Sequence, residues 1–211
     1  MSPHALLAKA AVEAAISQHH LLSAEEATKL LSQQGVKLPP KLLRERSGTF
    51  VTIERKGELR GCIGTYLPLR RMIAEEIIAN AVAAATKDYR FPPIQEDKLP
   101  SLSYTVYLLG EPELVGDLAE LDPQKYGIIV RTAPISAPSG TDVVFDGHLP
   151  YYKVTRFLSV AQGSYKSGLL LPGLTGVSTV EEQIAITCQK GGIDPHQEKI
   201  ILYRFTTRRF S

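Results

Sequence analysis

Chemistry in this chain would fall first to its cysteines, Cys62 and Cys188. Cys62 stands in Leu59-Arg60-Gly61-Cys62-Ile63-Gly64-Thr65, with a glycine on either side of it and an arginine close by. A thiolate is a nucleophile and a metal ligand, and a neighbouring guanidinium favours the ionised form. The opposing reading is that Cys62 is a small buried hydrophobe. Glycines inside a strand pattern point to a bulge or to close approach by a backbone or ligand.

Arg60 either grips a carboxylate or phosphate bidentately or pairs with Asp88 or a glutamate to hold the fold. Asp88 and Arg90 lie two apart in Asp88-Tyr89-Arg90-Phe91-Pro92-Pro93, an extended run stiffened by two prolines. They can project together toward Arg60, or form an ion pair at the end of the preceding helix. Glu76 and Asn80 share a helix face at i, i+4, beside Glu75; a solvated face and a pocket lining both fit. Cys62, Arg60 and Asp88 are thus the catalytic candidates. Gly61, Gly64, Thr65, Arg90, Phe91, Glu76 and Asn80 are the binding candidates.

Other chemistry is thinly represented. His19 and His20 are adjacent and lack a third ligand at recognisable spacing, so no metal site is expected. Cys188, between Ile184 and Ile186 and a glycine pair, reads as core. No glycine-rich phosphate loop, HExxH, GxSxG or EF-hand pattern is present. With 24 basic against 22 acidic residues the net charge is +2, which makes nucleic acid an improbable obligatory partner. Only Arg204, Arg208 and Arg209 offer a modest basic set. Two distant cysteines give no disulfide framework and point to a reducing cytoplasm. Charged residues interrupt the N-terminal apolar run, and nothing approaches the roughly 18 apolar residues of a spanning helix.

The elements that must position these residues are legible in part. Ser2-Pro3 opens a helix over residues 3–18, and Ser23 with Glu26 forms a capping box for a second that ends at Gly35. Residues 49–65 read as a β-hairpin around Arg55-Lys56-Gly57-Glu58. Its alternation sets Leu59 and Ile63 on one face and Arg60 and Cys62 on the other, about 6.5 to 7 Å apart. A helix follows Pro68 and runs to about Thr86. Strands are expected at 102–109, 126–131, 169–171 and 199–206, with a loop over 111–125. Ser178 with Glu181 makes another capping box for a helix reaching Gly191-Gly192. Residues 133–166 read as an insert, with a short strand at 142–145. The mixed order gives an α+β fold with a mainly antiparallel sheet.

The runs GTFVTIERKGELRGCIGTYLP, NAVAAATKDYRFPP, LLLP and EEQIAITCQKGGI resemble, in order, the AMMECR-one family. The resemblance covers most of residues 48–210, and LRGCIGT paired with DYRFPP is its most specific part. It implies a two-part α+β fold. It also implies, from prokaryotic relatives, a Memo-type protein and a radical-SAM protein as companions in one pathway. The family signature falls on Arg60, Gly61, Cys62, Gly64 and Thr65, then Asp88, Arg90 and Phe91, while the stretch from Arg131 to Leu169 is longer than the family pattern. It names no reaction and no cofactor. Two functions follow: a cytosolic enzyme or enzyme subunit acting through Cys62, or a non-catalytic adaptor that uses the LRGCIGT hairpin as a recognition surface.

Overall fold

The computed structural model describes residues 1–132 and 166–211. The insert expected from residue 133, including the short strand at 142–145, lies outside the described residues except for its last position. Two compact units are formed, one by Met1–Gly110 with Arg208–Ser211 and the other by Glu111–Thr207.

The first unit begins with helix α1 (Pro3–Ser17), whose Ser2 cap accepts the Ala5 N–H at 3.2 Å. Its alanines are small enough to be buried on several sides. Helix α2 (Ala24–Gln33) carries the expected Ser23–Glu26 capping box. A short α3 (Pro40–Arg44), not foreseen from the sequence, follows the proline pair. Strands β1 (Thr49–Arg55) and β2 (Glu58–Thr65) form the hairpin. Its turn residues Lys56 and Gly57 have φ of 53° and 81°, as a two-residue turn with left-handed centres requires. Helix α4 (Ile73–Thr86) and strand β3 (Leu102–Leu109) complete the main frame.

The second unit holds β4 (Glu113–Leu114), β5 (Gly127–Thr132), β6 (Ser167–Leu170), helix α5 (Val180–Gly191) and β7 (Ile200–Phe205). β8 (Thr207–Phe210) returns to the first unit. There are therefore two four-stranded sheets rather than one, ordered β2-β1-β3-β8 and β4-β7-β5-β6. The pairings of β1 with β2 and β3, and of β5 with β6 and β7, are antiparallel. The short β4 lies inside the expected 111–125 loop. The capping box of α5 is one residue later than expected: Thr179 accepts the Glu182 N–H and Glu182 accepts the Thr179 N–H. Glu182 also takes the Ser178 N–H and hydroxyl, so a serine one place too early still shares the cap.

Each unit has its own core. In the first, Leu7, Val12, Val51, Ile53, Ile77 and Ala81 are fully shielded between the sheet and helices α1 and α4. In the second, Ile128 and Val130 of β5 gather with Cys188 of α5. The Ser2 N–H donates to the Ser211 carbonyl at 2.8 Å, and His4 stacks on Phe210 at 3.7 Å, so the chain ends meet within the first unit. Burial, then the Arg208 charge, pushes the His4 pKa down. Among the described residues no helix is long and apolar enough to cross a membrane.

Candidate functional site

The β1–β2 register contains one irregularity, and it decides where Cys62 points. Arg55 lies opposite Glu58 and Glu54 opposite Leu59, but Ile53 then faces Gly61 and Thr52 faces Cys62. Arg60 has no opposite number and forms a β-bulge. Had the first pairing continued, Cys62 would have faced Val51, whose side chain is fully buried in the core. A one-residue shift turns every later side chain to the other face. The bulge therefore sends Gly61 inward and Cys62 outward.

The uninterrupted alternation expected from the sequence fails here. Leu59, opposite Glu54, shares the face of Thr52 and Cys62 instead of lying across from it. Period-two reasoning does not hold across an inserted residue.

Gly61 is needed where it sits. A Cβ there would come within 2.1 Å of the Ala84 carbonyl oxygen on α4, so the bare glycine lets the helix lie directly on the strand. Gly64 faces the other way, where a Cβ would meet the Phe50 ring at 2.2 Å. Cys62 is half-buried beside Thr52, whose hydroxyl donates to Sγ at 3.2 Å. Facing residues in a strand pair bring their side chains together.

β2 is an edge strand, with β1 on one side only. The other side of the Cys62 peptide is closed by the segment after α4. Asp88 Oδ2 accepts the Cys62 N–H at 2.8 Å, and Arg90 Nη2 donates to the Cys62 carbonyl at 3.3 Å. A carboxylate and a guanidinium thus supply the acceptor and donor that a neighbouring strand would offer. The two are tied to each other by Arg90 Nη2 to Oδ2 at 2.7 Å and Nε to Oδ1 at 2.9 Å. The Arg90 hydrogen bond, helped by the Cys62 and Arg90 N–H groups, holds the Asp88 pKa down at about 2, against the opposing effect of burial. Asp88 in turn raises that of Arg90, with a smaller contribution from Cys62.

Arg60 is not Asp88's partner, which corrects one of the pairings considered for it. Its guanidinium lies over the Phe91 ring at 5.4 Å, and that of Arg90 lies over the same ring at 5.4 Å. Among the described residues Arg60 makes no ion pair.

Glu76, Asn80 and Thr65 form a separate, buried arrangement rather than a solvated helix face. Glu76 Oε1 accepts the Thr65 hydroxyl at 2.5 Å, while Oε2 accepts the Leu69 and Arg70 N–H groups at 2.9 and 2.8 Å. Asn80 Nδ2 donates to the Thr49 hydroxyl at 2.8 Å and to the Thr49 carbonyl at 3.1 Å. A buried carboxylate with three donors is satisfied, and its placement near the start of α4 suits the helix dipole. These residues fix the exit of β2 and the loop that follows it.

The structure also adds residues that the sequence did not single out. Thr52 is one, hidden because its position opposite Cys62 exists only once the bulge is known. Tyr107 is another: it faces Phe50 across β1–β3, and burial chiefly, with Cys62 and Glu54 adding to it, raises its pKa against the pull of Arg209. Among the described residues no group of three or more His, Cys, Asp or Glu side chains is arranged to hold a metal.

This is an α+β protein with two antiparallel sheets and a cysteine displayed on a clamped edge strand. Residues 5–210 match the AMMECR1 family, and the chain belongs to it. A Thermotoga maritima protein is 41% identical over 174 residues, spanning 82% of each chain. The Clostridium acetobutylicum protein CA_C1420 is 38% identical over 163 residues, which are 77% of this chain but 28% of that one. The crystal structure of the uncharacterized protein PH0010 from Pyrococcus horikoshii superposes with a TM-score of 0.70 at 26% identity, covering 98% of this chain and 88% of that one.

Proposed function

We propose that Cys62 is the reacting group of a cytosolic thiol-dependent enzyme or enzyme subunit. Arg60 serves as its anion partner, and Asp88 with Arg90 acts as the device that holds the cysteine's backbone in place. The observation that carries this reading is the Thr52 hydroxyl directed at Cys62 Sγ, on a strand whose bulge turns the thiol off the helix-covered face. A donor aimed at sulfur favours thiolate over thiol, and guanidinium groups nearby do the same.

Memo-type and radical-SAM proteins are the partners proposed for this activity. What suggests them is the resemblance to the family's prokaryotic members. The adaptor reading rests on a different observation, the two guanidinium groups flanking Phe91 beside Cys62. On that reading Cys62→Ser keeps partner binding while Arg60→Ala weakens it.

Alkylation separates the readings. Native protein is treated with iodoacetamide near neutral pH and each cysteine followed by peptide mass spectrometry. Cys62 is expected to be modified quickly, and Cys188, at 2% exposure and with its pKa raised by burial, only after denaturant is added. A Cys62 that also waits for denaturant removes the thiol mechanism.

A further inference from the structure

On the first unit a groove of about 890 Å³ runs along α4, and neither Cys62 nor its clamp residues Asp88 and Arg90 line it. Its floor is one stripe of the helix: the nearly buried Ile78 and the half-buried Val82 form a ridge, and Ala79 and Ala83, four residues apart, leave a shallow track beside it. From Glu75 to Lys87 the stripe extends roughly 18 Å at the α-helical rise. The turn before α2, where Leu21 is 70% exposed, and the loop ending at Arg71, where Leu69 is 68% exposed, also line it. Single exposed leucines are ordinary, but two lining one apolar groove are not.

The loop wall is built to be stiff. The N–H groups of Leu69 and Arg70 both donate to Glu76, and that of Arg71 donates to Glu75 at 3.0 Å. Arg46 reaches across to the Arg70 and Pro68 carbonyls at 3.0 and 2.8 Å. The backbone is therefore fixed while the side chains of Leu69, Arg70 and Arg71 remain exposed. A preorganised wall loses little freedom when something binds to it. The charged side chains lining the groove are Arg46, Arg70, Arg71 and Lys87 against Glu75 alone.

We propose that this groove docks an acidic, amphipathic α-helix of a partner protein. Small residues spaced four apart beside a ridge of larger ones are what helix-on-helix packing uses. The length fits about three turns, and the basic margin selects acidic flanks. A compact ligand would not need a track of this length.

The probe is a fluorescein-labelled synthetic helix of about 14 residues, with Leu and Ala on one face at i, i+3, i+4 and i+7 spacing and Glu elsewhere. A matched peptide carries Lys for Glu. The acidic peptide is expected to bind the full chain, to bind more weakly as salt rises, and to lose at least about tenfold in affinity on Ala79→Arg. The paired exposed changes Arg70→Glu and Arg71→Glu leave the loop's backbone bonds in place and are expected to cause a similar loss, which covers the case where Ala79→Arg perturbs folding. Absence of binding at about 1 mM, equal binding of the lysine peptide, or indifference to both variants overturns the proposal. So does a concentration-dependent dimer that Ala79→Arg dissolves, since that gives the face to a second copy. None of these outcomes depends on Cys62.

Discussion

The two units use the same packing device and differ in what they do with a cysteine. In each, an edge strand slides a glycine beneath a helix: Gly61 of β2 under Ala84 of α4, and Gly168 of β6 under Thr187 of α5. A Cβ would come to 2.1 Å of a helix carbonyl oxygen in the first and 2.0 Å in the second. Each glycine faces a core residue on the next strand, Ile53 or Val130. Yet β5 and β6 pair without interruption, whereas β1 and β2 need the Arg60 bulge. Close helix packing therefore does not require the bulge. What the bulge adds is the direction of Cys62, set beside Thr52, while Cys188 lies sealed in its core.

Deleting Arg60 tests this comparison at the bulge itself. Deletion removes the unpaired residue and closes the ladder with Gly61 still opposite Ile53 and Cys62 still opposite Thr52, so the chain is expected to fold, to change in stability by less than about 2 kcal/mol and to keep Cys62 open to iodoacetamide. Arg60→Ala keeps the extra residue and is expected to cost less than about 1 kcal/mol. Urea midpoints measure both. A deletion that unfolds the chain, or that hides Cys62 from iodoacetamide, would show that this register does not direct the thiol.

Gly61→Ala and Gly168→Ala should each cost about 2–3 kcal/mol, because the added methyl overlaps backbone that cannot swing aside. If one is tolerated and the other is not, the two packing sites are not equivalent.

Asp88→Ala comes next, with about 2 kcal/mol expected from the lost pair and from the Cys62 N–H left without its acceptor. Its pH dependence has a definite sign. The folded carboxyl, at about 2, lies below the unfolded value near 4, so the contribution is complete above pH of about 4 and disappears as pH falls from there toward 2. The stability gap between parent and Asp88→Ala should narrow over that window. A gap constant down to pH of about 2 would mean that the charge of Asp88 does not matter.

Local signals make much of the fold legible in the sequence. Ser2-Pro3, the Ser23–Glu26 box, the Lys56-Gly57 turn and the apolar period of α4 each fixed an element within its own segment. What escaped depended on pairing between distant residues. Thr52 became a neighbour of Cys62 only through the bulge, and no propensity scale marks Arg60 as an inserted residue. Asp88 and Arg90 were seen as a pair, but not as a surrogate strand, because a hydrogen bond to the Cys62 peptide has no sequence signature. Glu76 and Asn80 looked solvated because helical spacing does not reveal that a loop will fold over one end of the helix. The two-residue strand β4 and the terminal β8 were missed for the same reason, since their partners rather than their compositions define them.

If the Thr52 hydroxyl set beside Cys62 assists the thiol, removing that hydroxyl must slow the thiol's reactions. The most direct measurement is the iodoacetamide rate constant of Cys62 in the parent and in Thr52→Val, at one pH and with matched melting curves. Removing the donor without changing shape is expected to slow alkylation by about fivefold to tenfold, equivalent to about 1 kcal/mol for a hydrogen bond to sulfur. Equal rate constants would contradict the claim.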